Sequence, residues 1–214
     1  DWPDRDRFVL SKGHCCPILY AALAARGYFA REELWTLREI GSRLQGHPDM
    51  TKTPGVDMTT GSLGQGISAA VGMAIGGKLT AGGFQVYCMV GDGELQEGQV
   101  WEAAMAAAHH RLANLTVLVD NNKMETDGDT RSIINVEPIE DRWRAFGWHA
   151  LRVNGHDMAQ IHAGVQRLLA DGERPGVLVA DTVKGKGVSF MEGRAQWHSG
   201  PTDDQQTQQA LREL

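Results

Sequence analysis

No stretch of this chain approaches the roughly 20 consecutive apolar residues that cross a bilayer, so nothing in it reads as a spanning helix. Cysteine is scarce: Cys15, Cys16 and Cys88 are the only three. Neighbours in sequence seldom bridge, and an odd count fits no disulfide framework, which points to a reducing compartment, the cytoplasm. There is no long basic run, and the formal charge is −6. That argues against a general nucleic-acid binder while leaving room for a local basic patch around a phosphate. Internal repeats, low-complexity tracts and linkers are missing too. The charged start, Asp1-Trp2-Pro3-Asp4-Arg5-Asp6-Arg7, has no signal-peptide core and begins abruptly, as a chain with residues missing upstream would.

Glycine, by contrast, is plentiful: 26 of 214 residues, gathered in motifs rather than linkers. The length suits one large domain or two small ones. Periodicity and breakers predict helices over Pro17 to Tyr28, Arg31 to Ile40, Gly64 to Leu79, Gly98 to His110, Glu140 to Phe146 and Met158 to Leu169. A polar helix is expected after Asp203. Strands are expected at 85–90, 115–119, 148–153 and 177–180, and loops at 41–62 and 121–135. Strands alternating with helices imply an α/β fold, a doubly wound and mainly parallel sheet with helices on both faces.

Two motifs stand at strand ends. Gly91-Asp92-Gly93 follows Gln85-Val86-Tyr87-Cys88-Met89-Val90, and Asn121-Asn122 follows Leu115-Thr116-Val117-Leu118-Val119. In an open α/β sheet ligands bind at the carboxyl ends of strands. Asp92 offers a carboxylate, Asn122 a side-chain carbonyl and Met124 a backbone carbonyl, hard oxygens suited to Mg²⁺ or Ca²⁺. Phosphate oxygens and water would complete an octahedron, and Gly93 offers an N–H to a phosphate. The pair therefore reads as a site for a metal-bound diphosphate; a strand-end turn beside an ordinary Asn-Asn turn is the plain alternative. Lys184, in Lys184-Gly185-Lys186-Gly187, could set a cation near a diphosphate or stay solvated. His14 and His47 each follow a glycine in a loop, where an imidazole suits proton transfer. His109-His110 has no partner cluster at ligand spacing and reads as surface.

The run Gly91-Asp92-Gly93-Glu94-Leu95-Gln96-Glu97-Gly98, with Asp120-Asn121-Asn122-Lys123, resembles the thiamine diphosphate motif of the transketolase family. Asp6 to His14 resembles that family's early histidine segment, and Gly46-His47-Pro48 its second. Thr59-Thr60-Gly61-Ser62-Leu63-Gly64-Gln65-Gly66 resembles its cofactor loop, with Ser62 where many relatives carry Pro. Together these cover nearly the whole chain. Leu-Gln-Glu-Gly points to transketolase rather than to the pyruvate dehydrogenase or deoxyxylulose phosphate synthase branches.

The resemblance implies thiamine diphosphate and Mg²⁺ as cofactors, with Ca²⁺ or Mn²⁺ possible. It places His14 near the diphosphate and reacting carbon, His47 on substrate hydroxyls and His198, in Trp197-His198-Ser199, near the diphosphate. Gly61, Ser62 and Leu63 would lie against the aminopyrimidine. Glu97 and Glu102 would sit at a contact between protomers. The expected reaction moves a two-carbon ketol unit from a ketose or ketose phosphate to an aldose or its phosphate. The alternatives are another thiamine enzyme, such as a 2-oxoacid decarboxylating component, and a non-catalytic binding subunit. The family's activating glutamate belongs to a second, pyrimidine-binding domain, for which no room is left after residue 200. One diphosphate-binding domain over 1–214 is therefore expected. A partner subunit would complete it, the whole working as a dimer of heterodimers.

Overall fold

The computed structural model describes residues 2–214. Its centre is a parallel sheet of β1 (Arg7–Leu10), β2 (Val86–Gly91), β3 (Leu115–Asn121), β6 (His149–Asn154) and β7 (Gly176–Asp181). The spatial order is β1-β2-β3-β7-β6. The chain climbs through three neighbouring strands, skips one place, and returns to fill it. A two-stranded antiparallel hairpin, β4 (Met124–Glu125) with β5 (Gly128–Asp129), stands just past β3. Helices α1 (Cys16–Ala25), α2 (Gln65–Leu79), α3 (Gly98–His109), α4 (Thr130–Ile133), α5 (Ile139–Ala145), α6 (Met158–Leu169) and α7 (Asp204–Glu213) complete the chain.

The strands are apolar because both sheet faces are covered. Val86, Cys88 and Val90 of β2, Val117 and Val119 of β3, and Val177 and Val179 of β7 are wholly buried. Helix α2 packs flat because glycine and alanine line it; Ile67, Ala70 and Ala74 are fully buried. Trp143 and Trp148 close the core in an edge-on pair at 4.6 Å, and the Trp148 Nε1–H donates to the Ala104 carbonyl at 2.9 Å.

Three expectations change. The segment Arg31 to Ile40 is not an α-helix: it makes a 3-10 turn over Arg31–Thr36 and then stops. The Thr36 hydroxyl donates to the Glu33 carbonyl, Arg38 takes a left-handed backbone, and its N–H donates across the loop to Leu44. Local side-chain bonding thus wins over helical periodicity. Strand β1 was not expected at all. It is four residues long, inside a segment that read as a motif, and only its pairing with β2 makes it a strand. Residues 121–135, expected as loop, hold the hairpin and α4.

Register brings the carboxyl ends level. Gly91 lies beside Asp120, and Asn121 and Asn154 both lie beside Asp181. Everything that follows β1, β2, β3 and β7 therefore emerges along one edge of the sheet.

Candidate functional site

At that edge lies a cleft of about 310 Å³. Its walls include Lys12, His14, Gly61, Leu63, Asp92 and Gly93, and also Asn122, Met124, Lys184 and His198. These residues come from separate stretches of chain, and the sheet alone puts them together. Of the residues expected at the site, Ser62 is exposed and outside the lining, and its carbonyl accepts the Gln65 N–H as α2 begins. His47 is exposed at the rim; its ring occupies the space where a Cβ on Gly61 would lie, 2.9 Å from the nearest ring atom.

The Asp92 carboxylate is 1% exposed. Its Oδ2 accepts the Lys123 N–H at 2.8 Å and the Thr130 hydroxyl at 3.2 Å. Burial pushes its pKa from the ordinary 3.8 up to about 6, although the N–H groups of Gly93 and Lys123 and the Thr130 hydroxyl pull the other way. A carboxylate in this position is short of positive charge. The Asn122 side chain is oriented on both sides: its Nδ2 donates to Asp120 at 3.3 Å, and its Oδ1 accepts the Met124 N–H at 3.0 Å.

Opposite Asp92 the balance reverses. The His14 and His198 rings stack 5.0 Å apart. Burial, then the charges of Lys12, His198, Lys184 and His47, drive the His14 pKa down to about 4, so its imidazole is neutral at neutral pH. The Lys184 ammonium lies 3.3 Å from Nδ1 of His198. An ammonium only donates, so this ring carries its own N–H on Nε2. Burial and the nearby Lys12 lower the Lys184 pKa, and burial and Lys184 lower that of His198. This wall is short of negative charge.

Sequence reasoning ranked two of the most buried groups too low. Lys12 is 5% exposed and donates to Asp120 Oδ2 at 2.6 Å. Burial opposes its charge more than any other influence, but Asp120 and Cys15 together outweigh it and the pKa is raised. Asp120 also accepts the Thr182 hydroxyl, so one carboxylate ties β1, β3 and β7 together at their ends. Glu94, overlooked in favour of Glu97, is 2% exposed. Burial raises its pKa against bonds from Ser11, Gly64 and Gly91. A charged residue inside an otherwise apolar turn, Gly-Glu-Leu, was the available signal. Glu97, which precedes the first turn of α3, is exposed and lines the cleft; Glu102 is exposed on α3, and His109 and His110 are exposed at its end.

The arrangement suits a diphosphate and a divalent cation side by side. A buried carboxylate without a paired cation among the described residues, an oriented amide and a nearby chain turn offer hard oxygen ligands. Lys184, two imidazoles and glycine-lined backbone face them and suit an anion. Among the described residues no group of three or more His, Cys, Asp or Glu is clustered as a complete metal site, so phosphate oxygens would have to share the coordination.

The chain matches, over residues 1–214, the model of a family described as transketolase, thiamine diphosphate binding domain. It is 48% identical over 213 residues to SqwG of Clostridium sp. (strain MSTE9), a subunit of a 6-deoxy-6-sulfo-D-fructose transketolase, covering all of this chain and 78% of that one. It is 43% identical over 219 residues to a subunit of the apulose-4-phosphate transketolase of Phocaeicola vulgatus, again covering 78% of the relative. The crystal structure of transketolase from Campylobacter jejuni superposes with a TM-score of 0.93 at 34% identity, covering 99% of this chain and 34% of that one. The chain thus spans about three quarters of the subunit-type relatives and about a third of the longer enzyme.

Proposed function

This chain belongs to the transketolase family, and on that premise we propose that it is the diphosphate-holding part of a thiamine diphosphate-dependent transketolase. The observation that carries the reading is the cleft itself: a buried Asp92, with no cationic side chain paired to it among the described residues, faces Lys184, His14 and His198, with no carboxylate among those residues paired to them. Asp92, Asn122 and the Met124 carbonyl would hold Mg²⁺, with Ca²⁺ or Mn²⁺ as substitutes. Gly93, Lys184, His198 and His14 would hold the diphosphate, and Gly61 and Leu63 the aminopyrimidine side. When bound, the cofactor supplies a carbanion able to cleave and remake a carbon–carbon bond beside a carbonyl.

The chain's own residues orient, neutralise and move protons. His14, neutral at working pH, serves as a hydrogen-bond donor and proton carrier rather than as a charge. His47, at the rim over Gly61, is placed to meet substrate hydroxyls. Two of the relatives are named for sugars with an anionic end, a sulfonate and a phosphate. We assign this chain the same class of substrate, a ketose with an anionic terminus and an aldose acceptor. Both are also named as subunits, which supports a partner carrying the pyrimidine-binding half and an assembly of two such pairs. Cys15, Cys16 and Cys88 are unbridged, in keeping with the cytoplasm.

Titration calorimetry with thiamine diphosphate and Mg²⁺, on chain plus partner, is expected to show one site per pair, lost in Asp92→Ala. Profiling should show ketol transfer between sugar phosphates and none from pyruvate. Decarboxylation of pyruvate without ketol transfer would instead make this another thiamine enzyme, and equal binding by Asp92→Ala would remove the metal assignment.

A further inference from the structure

Glu94 lies on the inner wall of the cleft, and three donors converge on its carboxylate. The Ser11 hydroxyl and the Gly64 N–H, at 2.9 Å, donate to Oε1; the Gly91 N–H donates to Oε2 at 3.1 Å. Each donor belongs to a different wall. Ser11 opens the segment carrying Lys12 and His14, Gly64 closes the loop carrying Gly61 and Leu63, and Gly91 begins the turn carrying Asp92 and Gly93. Gly64 sits before the first turn of α2 with φ +80, and no side chain from its own segment caps that helix. Glu94 supplies, from the turn after β2, the negative charge a helix N-terminus favours. Gly66 permits the approach: a Cβ there would lie 2.5 Å from Ser11 Oγ.

A carboxylate can accept all three bonds at once. An amide accepts on its oxygen only, and its NH₂ would face either Gly91 or the Ser11–Gly64 pair as a second donor. We propose that Glu94 is a positioning residue of the cofactor site: through Ser11, Gly64 and Gly91 it sets the spacing between the walls that hold the two ends of thiamine diphosphate. The inference rests on the reading of the cleft given above. It assigns Glu94 no contact with reacting atoms.

The test is the Kd for thiamine diphosphate with Mg²⁺, by calorimetry on the full chain assembled with its partner, alongside the melting temperature of the cofactor-free chain. Glu94→Gln is expected to weaken binding about tenfold, the scale of one hydrogen bond lost and made repulsive. Glu94→Asp, which keeps the charge but shortens the reach, should weaken it similarly. Ser11→Ala should cost about threefold, and the double variant should bind no worse than Glu94→Gln alone, because both act through one carboxylate. Wild-type affinity in Glu94→Gln, or losses that simply add in the double variant, would overturn the proposal. Asp92→Ala separates the two readings: if it abolishes binding while Glu94→Gln does not, only the role of Glu94 falls; if neither variant weakens binding, the cleft reading falls first. Should Glu94→Gln fail to fold, an unchanged Kd in Ser11→Ala refutes the proposal by itself.

Discussion

Replacing Asp92 by Asn should make the metal-free chain more stable, not less. Burial raises the Asp92 pKa from 3.8 to about 6. Each unit is worth about 1.4 kcal/mol, so ionising this buried group at pH 7.5 costs the folded state about 3 kcal/mol relative to the unfolded chain. Asn keeps an oxygen for the Lys123 N–H and the Thr130 hydroxyl but loses the second acceptor, a cost of about 1 kcal/mol. The net gain is about 2 kcal/mol, or about 4–8 °C in Tm for a chain of this size. The sign with pH follows from a raised acid. The penalty is absent below the unfolded value near 3.8, grows as pH rises, and is complete above about 6. Melts in EDTA should therefore show the variant's advantage widening from pH 5 to pH 7.5. With Mg²⁺ and thiamine diphosphate the order should invert, because only the wild type gains the ligand's binding energy. A variant that melts at or below the wild type in EDTA at pH 7.5 would refute the claim that this carboxylate is held at a cost.

Two further outcomes follow from the same walls. Gly66→Ala would place its Cβ 2.7 Å from the Ser11 Cα, backbone that cannot swing aside, so it should destabilise the chain by about 2–3 kcal/mol or more in urea denaturation and weaken cofactor binding in parallel. His14 should titrate with a midpoint near 4 by NMR in the cofactor-free chain and move upward when thiamine diphosphate is added, since an anion favours the charged ring; a midpoint at the ordinary 6.5 in both states would show that neither burial nor the lysines act on it.

Much of the site was legible because its chemistry lies in short, contiguous runs. Gly91-Asp92-Gly93 and Asn121-Asn122 each follow an apolar strand, and a strand's carboxyl end is where a ligand can reach exposed backbone. What misled was local. Arg31 to Ile40 carries helical periodicity, yet the Thr36 hydroxyl bonds back to the Glu33 carbonyl and the Arg38 N–H donates across the loop to Leu44. Strand β1 is too short to announce itself, and nothing local marks Lys12 because its partner, Asp120, is far away in sequence and adjacent only across the sheet.

The sequence by itself determined the parallel α/β class, the residue types at the strand ends and the family they resemble, since each is written in hydrophobic period and local motif. Only the tertiary structure decided which charges compensate one another. Lys12 is paired with Asp120, Lys184 meets the His198 ring, Asp92 accepts the uncharged Lys123 N–H and Thr130 hydroxyl, and Glu94 is turned inward onto three walls. That division depends on burial and on distances across strands, and neither is a property of any one segment.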